Sequence, residues 1–96
     1  MISKDFERTL AAVSEVTEID RELILSSCRQ MEYVEARVLL IKALNEQGYH
    51  YMQIARVMNR AVPSIRALLD GFQQRYESNI IFAKLYKEIQ RKIEGK

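Results

Sequence analysis

Apolar residues recur at intervals of three and four along most of the chain, the spacing that lines one face of an α-helix. Phe6, Leu10, Val13 and Val16 predict a first helix from about Ser3 to Val16, with Ser3 as its N-cap and Thr17-Glu18 breaking the pattern. Asp20 caps a short second helix that carries Leu23, Ile24 and Ser27, and a loop holding Ser26 to Gln30 follows. A third helix runs from near Glu32 to just before Gly48, with Val34, Val38, Ile41 and Leu44 or Leu40 as its buried stripe. Gly48 suits the left-handed residue past a helix end. The fourth helix spans about Met52 to Met58 and turns Ile54, Ala55 and Met58 inward.

After a break at Asn59 to Val62, Pro63 opens a fifth helix, because its missing N–H would have no partner in a first turn. The proline also predicts an extended Val62. Ile65, Leu68, Leu69 and Phe72 form the inner face of this helix, which ends between Phe72 and Ser78. The last helix runs from about Ser78 to Ile93, with Ile81, Leu85 and Ile89 on its buried side and Phe82, Tyr86 and Ile93 nearby. The expected fold is therefore all-α, an orthogonal bundle of about six helices in one domain covering residues 1–96. Three glycines and one proline in 96 residues are too few for a chain built from turns.

Charge changes the picture, because it is unevenly spread. Residues 1–48 carry six Lys and Arg against nine Asp and Glu, a net of −3, and residues 49–96 carry nine against four, a net of +5. The second half is where an anionic partner would bind. The stretch from Tyr51 to Phe72 lies in that half and reads as a helix, a tight turn and a second helix, the helix-turn-helix plan. Ala55 is small where the two helices cross, and Ser64, Arg66 and Ala67 are the outward positions of the second helix's first turns. A hydroxyl and a guanidinium there suit base edges or phosphate, with Arg56 and Arg60 flanking the motif.

Enzymatic and metal chemistry find little to work with. His50 is the only histidine and Cys28 the only cysteine, too few for a zinc site or a nucleophilic triad, so no catalytic residue, cofactor or metal is expected. Cys28 beside Arg29 reads as a reactive thiol or as an ordinary loop cysteine. The five tyrosines read as rim-of-core residues. With no disulfide, no apolar leader at the start and no apolar stretch near membrane-spanning length, a reducing cytoplasm is the expected home, with no membrane and no small-molecule substrate among the partners.

Residues from about Ala12 to Ile93 resemble the C-terminal DNA-binding domain of the bacterial replication initiator DnaA, a helix-turn-helix bundle similar in kind to Trp repressor. "SEVTEIDRELILSSCRQMEYVEAR" resembles that family's first helices, basic loop and long helix. "YMQIARVMNRAVPSIRALL" resembles its helix-turn-helix, and "YESNIIFAKLYKEIQRKI" its closing helix. The resemblance implies binding of double-stranded DNA, in a bacterial, replication-initiation-related or regulatory setting. It places Arg60 on the family's arginine before the recognition run, Ser64 on a threonine of that run, and Arg29 in the loop that enters the minor groove. Pro63, with Ala61 and Val62, stands where the family has its base-reading Asp-His-Thr. The DNA contacts expected are thus Arg29, Arg60, Pro63, Ser64 and Arg66, with Arg56 and Arg75 as further phosphate contacts. No G-x-x-x-x-G-K-[ST] loop occurs, so no ATPase activity is expected. The alternative is a protein-interaction module that keeps the fold without reading DNA. A continuous positive face joining Arg29, Arg60 and Arg66 would favour the first, and an exposed apolar patch at Val62, Leu69 or Ile80 the second.

Overall fold

The run from Ala36 to Leu44 is nearly continuous in apolar side chains, so a helix built from it is hydrophobic on every side and has to be surrounded. A computed structural model, which describes residues 2–95, places it at the centre of an all-helical bundle. The described residues form α1 (Ile2–Thr17), α2 (Arg21–Leu25), α3 (Met31–Glu46), α4 (Tyr51–Met58), α5 (Val62–Asp70), α6 (Phe72–Ser78) and α7 (Ile80–Glu94), with no strand. The central helix α3 packs against each of the other six. Only Gly71 separates α5 from α6, so the long fifth helix expected from the sequence is interrupted once. No helix among the described residues is long and apolar enough to cross a membrane.

Around α3, each helix buries one stripe. α1 buries Phe6, Leu10 and Val13, as the spacing predicts, together with Thr9 and Ala12, while Val16 is half-buried; α4 buries Ile54, Ala55 and Met58, also as predicted. The ends are set by backbone conformation. Glu18 and Gly48 adopt left-handed φ values of 61° and 102°, and these residues carry the chain out of α1 and α3. Gly48 meets that demand without a side-chain penalty.

Three local expectations shift. Ser3 lies inside α1, because the helix already includes Ile2, and a residue with helical backbone cannot act as N-cap. α5 begins at Val62, so the extended residue is Ala61 (φ −71°, ψ 145°), and Pro63 sits one position inside the helix. The reason is that the Ala61 carbonyl accepts from both the Ser64 and Ile65 N–H groups, which makes Ala61 the N-cap, while proline is tolerated anywhere in a first turn. In α7, Ile81 is 67% exposed, and the buried positions are Phe82, Tyr86 and Ile89. The aromatic rings set this register: Phe72 stacks 5.7 Å from Phe82 and 4.8 Å from Tyr86, centroid to centroid. Rotating α7 to bury Ile81 would pull that cluster apart.

One polar pair ties α1 to the segment after α3. The Asp5 carboxylate accepts from the Tyr49 hydroxyl and, at 3.1 Å, from Arg8. The Tyr49 bond is the main reason that Asp5 titrates below its usual 3.8, and the same bond raises Tyr49 above 10.0. A lowered carboxylate stabilises the fold above pH 3.8 and loses that contribution as pH falls through its folded value. A raised phenol stabilises it below pH 10.0 and loses that contribution as pH rises. Tyr49→Phe should therefore unfold with a flatter pH dependence at both ends than wild type, measured as denaturation midpoints across the pH range.

Candidate nucleic-acid interface

α4 and α5 form the helix-turn-helix, joined by Asn59, Arg60 and Ala61. Asn59 turns the chain with left-handed dihedrals (φ 57°, ψ 48°), a conformation that asparagine tolerates better than most residues. The Arg60 N–H then closes the end of α4 on the Ala55 carbonyl at 2.9 Å. At the start of α4, His50 is the N-cap: its Nδ1 accepts from the Met52 N–H at 3.4 Å, and Gln53 Oε1 accepts from the His50 N–H at 2.9 Å. Buried Ile54, Ala55, Met58 and Ile65 fill the space between the two helices, with half-buried Leu68 at its edge.

The turn reaches back to α2. A five-residue helix leaves its last carbonyls without intrahelical partners, and α2 has no basic residue in its own last turn. Two arginines from elsewhere take those carbonyls. Arg37 of α3 donates from Nε to Ile24 O at 2.6 Å, and from Nη2 to Leu23 O at 3.2 Å and Ser26 Oγ at 3.3 Å. Arg60 donates from Nη2 to Leu25 O at 3.3 Å and to Ser26 O. Arg37 is 4% exposed, and its burial, followed by the nearby Arg60 charge, pushes its guanidinium below the ordinary arginine range.

This anchoring places loop 26–30 alongside α5. Between them lies an open groove of about 610 Å³, lined by Arg29, Arg37, Arg60, Ser27, Ser64 and Ala67 among others. A second opening of about 600 Å³ lies over the turn and is lined by Arg56, Arg60 and Val62 among others. Arg60 therefore borders both. The sequence-predicted residues Arg29, Arg60 and Ser64 come together in the first groove, and Arg56 joins through the second.

Arg66 lies apart from that groove. Its guanidinium sits over the Tyr51 ring at the start of α4, 5.2 Å from the centroid. Residues 64 and 66 are about 200° apart around a helix, so Ser64 and Arg66 occupy the two edges of the outward face, with exposed Pro63, Ala67 and Asp70 between them. Arg75 of α6 faces α3, 3.7 Å from the Glu35 carboxylate and 3.6 Å from Met31 sulfur, and it does not line the groove. Of the residues named as alternatives for an apolar patch, Ile80 is 73% exposed, while Val62 and Leu69 are half-buried.

Sequence reasoning passed over Arg37, the residue that organises this region. Its signal was present: one guanidinium inside the apolar run AlaArgValLeuLeuIle, where a charge requires acceptors. No family model, curated protein or solved structure matches the chain. His50→Ala should destabilise the domain by about 0.5–1 kcal/mol through loss of the α4 cap, and His50→Asn should recover most of it, measured by denaturant unfolding.

Proposed function

We propose that this chain is a double-stranded DNA-binding module without ATPase activity, and that α5 enters the major groove. The observation that carries the proposal is the arrangement of charge about α5. Its outward face has Arg66 at one edge and the groove of Arg29, Arg60 and Ser64 at the other. A helix in a major groove runs between two phosphate walls; the Arg29, Arg60 and Ser64 edge would meet one wall, and Arg66 at the other edge would reach toward a base. Within the described residues Arg29, Arg56 and Arg66 make no ion pair, whereas Arg8, Arg21, Lys42 and Lys92 each meet a carboxylate. Three unpaired cations thus lie on the helix-turn-helix and the loop beside it, where phosphates would take the place of carboxylates; Lys4 of α1 and Lys84, Lys87 and Arg91 of α7 are likewise without an ion pair among the described residues.

The likeness to the DnaA C-terminal domain supports the same reading and the broader setting of a bacterial replication-initiation-related or regulatory factor. With Pro63 and Ala67 at the middle of the outward face, base recognition would rest on apolar contact with thymine methyl groups and on Arg66 reaching a guanine edge. Arg29, in the loop, would approach the minor groove. A second reading, a protein-docking module, draws on the adjacent exposed side chains of Ile80 and Ile81.

Fluorescence anisotropy with a duplex selected from a random pool tests the proposal. Affinity should fall as salt rises, through counterion release. Arg29→Ala should weaken all sequences alike, whereas Arg66→Ala should cost about 1–3 kcal/mol and flatten the preference at one position of the selected site. Absence of binding at low salt, or binding indifferent to salt, would refute the DNA reading.

A further inference from the structure

α7 packs against α1, α3 and α6 and turns its remaining side to solvent. We infer that this outer side docks an acidic segment of another protein that also carries apolar side chains, from the exposed Ile80 and Ile81 at its start and the unpaired Lys84, Lys87 and Arg91 along it.

The helix period gathers these residues. At about 100° per residue, Ile80, Lys84, Lys87 and Arg91 fall within about 60° of arc, on the side away from buried Phe82, Tyr86 and Ile89. The stripe they form extends for about 16 Å along α7, with Ile81 at its flank. Ile80 and Ile81 are the most exposed large apolar side chains among the described residues. Glu88 and Glu94 border the stripe, yet neither pairs with its cations. The same helix shows what those cations lack. On the side facing α1, Lys92 Nζ lies 3.2 Å from the Glu15 carboxylate. A partner's carboxylates would do for Lys84, Lys87 and Arg91 what Glu15 does for Lys92.

The isoleucines select the class of partner. A phosphate backbone offers nothing apolar to cover them. A helix lying in a membrane surface needs apolar side chains along its whole length, and here they stand at one end. A protein segment brings carboxylates for the stripe and apolar side chains for its isoleucine end, the pairing of apolar contact with complementary charge that protein interfaces use. Because α7 lies outside the helix-turn-helix, this docking holds whether or not α5 reads DNA.

A random dodecapeptide library displayed on phage and panned against the whole chain tests the inference. The enriched peptides should combine Asp or Glu with Leu, Ile or Phe, and a labelled synthetic copy of one should bind in fluorescence anisotropy. Lys84→Glu combined with Lys87→Glu should weaken that copy about tenfold or more, and Ile80→Ser about tenfold. All three positions are exposed, so both variants should keep the wild-type circular dichroism spectrum and melting temperature. The double variant should also bind duplex DNA as the wild type does, which tells failure here apart from failure of the DNA reading. Enrichment of no acidic sequence, or peptide affinity unchanged in both variants, would overturn the inference. So would a double variant that loses duplex binding, self-association or phosphatidylserine-vesicle binding shown by the wild type, because the stripe would then belong to nucleic acid, a second copy or a membrane.

Discussion

The carbonyl end of α2 is the point on which the candidate interface depends. A helix of five residues cannot satisfy its own last carbonyls, and by itself it would fray. Arg37 reaches these carbonyls from inside the central helix, and Arg60 reaches them from the turn between α4 and α5. The two guanidiniums hold one short helix to both halves of the molecule. Burying Arg37 is costly unless its donors are occupied, and α2 supplies acceptors that are themselves in need of donors. Each side of this contact removes a penalty from the other. The loop carrying Arg29 leaves directly from the anchored end, so its position beside Ser64 is a consequence of the same bonds.

This geometry divides the arginines by role. Arg37 is given wholly to the fold, Arg75 is turned toward Glu35, and Arg60 borders the groove while its guanidinium holds α2. Arg29, Arg56 and Arg66 remain exposed and unpaired within the described residues. The acidic first half of the chain spends several carboxylates on cations: Glu7 meets Arg21 at 2.6 Å and Glu15 meets Lys92 at 3.2 Å. Lys92 belongs to the basic half, so its pair with Glu15 offsets part of the imbalance seen in the sequence. Of the exposed arginines left without a carboxylate, Arg56 and Arg66 lie on the helix-turn-helix and Arg29 on the loop beside it.

Much of the fold was legible because helical period is a local property. The buried stripes of α1 and α4, the role of Gly48 and the break after Met58 all follow from spacing and backbone preference. What could not be read depends on partners distant in sequence. Ile81 and Phe82 are equally apolar neighbours, and only the ring of Phe72, ten residues away from Phe82, decides which of them turns inward. Arg60 was legible as a residue of the turn between α4 and α5 but not as a ligand of α2, thirty-four residues earlier than itself at Ser26. His50 is a local exception: its cap partners, Gln53 and the Met52 N–H, are three and two residues away, but histidine is not among the usual N-cap residues. Ser64 and Arg66 were both legible as outward positions, yet what each edge faces, the loop at Arg29 for Ser64 and the Tyr51 ring for Arg66, emerges only from the packed structure.

Native-state hydrogen exchange in an Arg37→Met variant tests the central claim most directly, because methionine keeps the apolar bulk and removes every donor. If Arg37 anchors α2 and through it the interface, protection should fall at the Leu23, Ile24 and Ser26 amides and at Asn59 to Ile65, while Leu39 to Leu44 keep the protection of the global core. Unchanged protection in α2 and the turn, with stability equal to or above wild type, would contradict it and would mean that the buried guanidinium is replaceable by apolar packing.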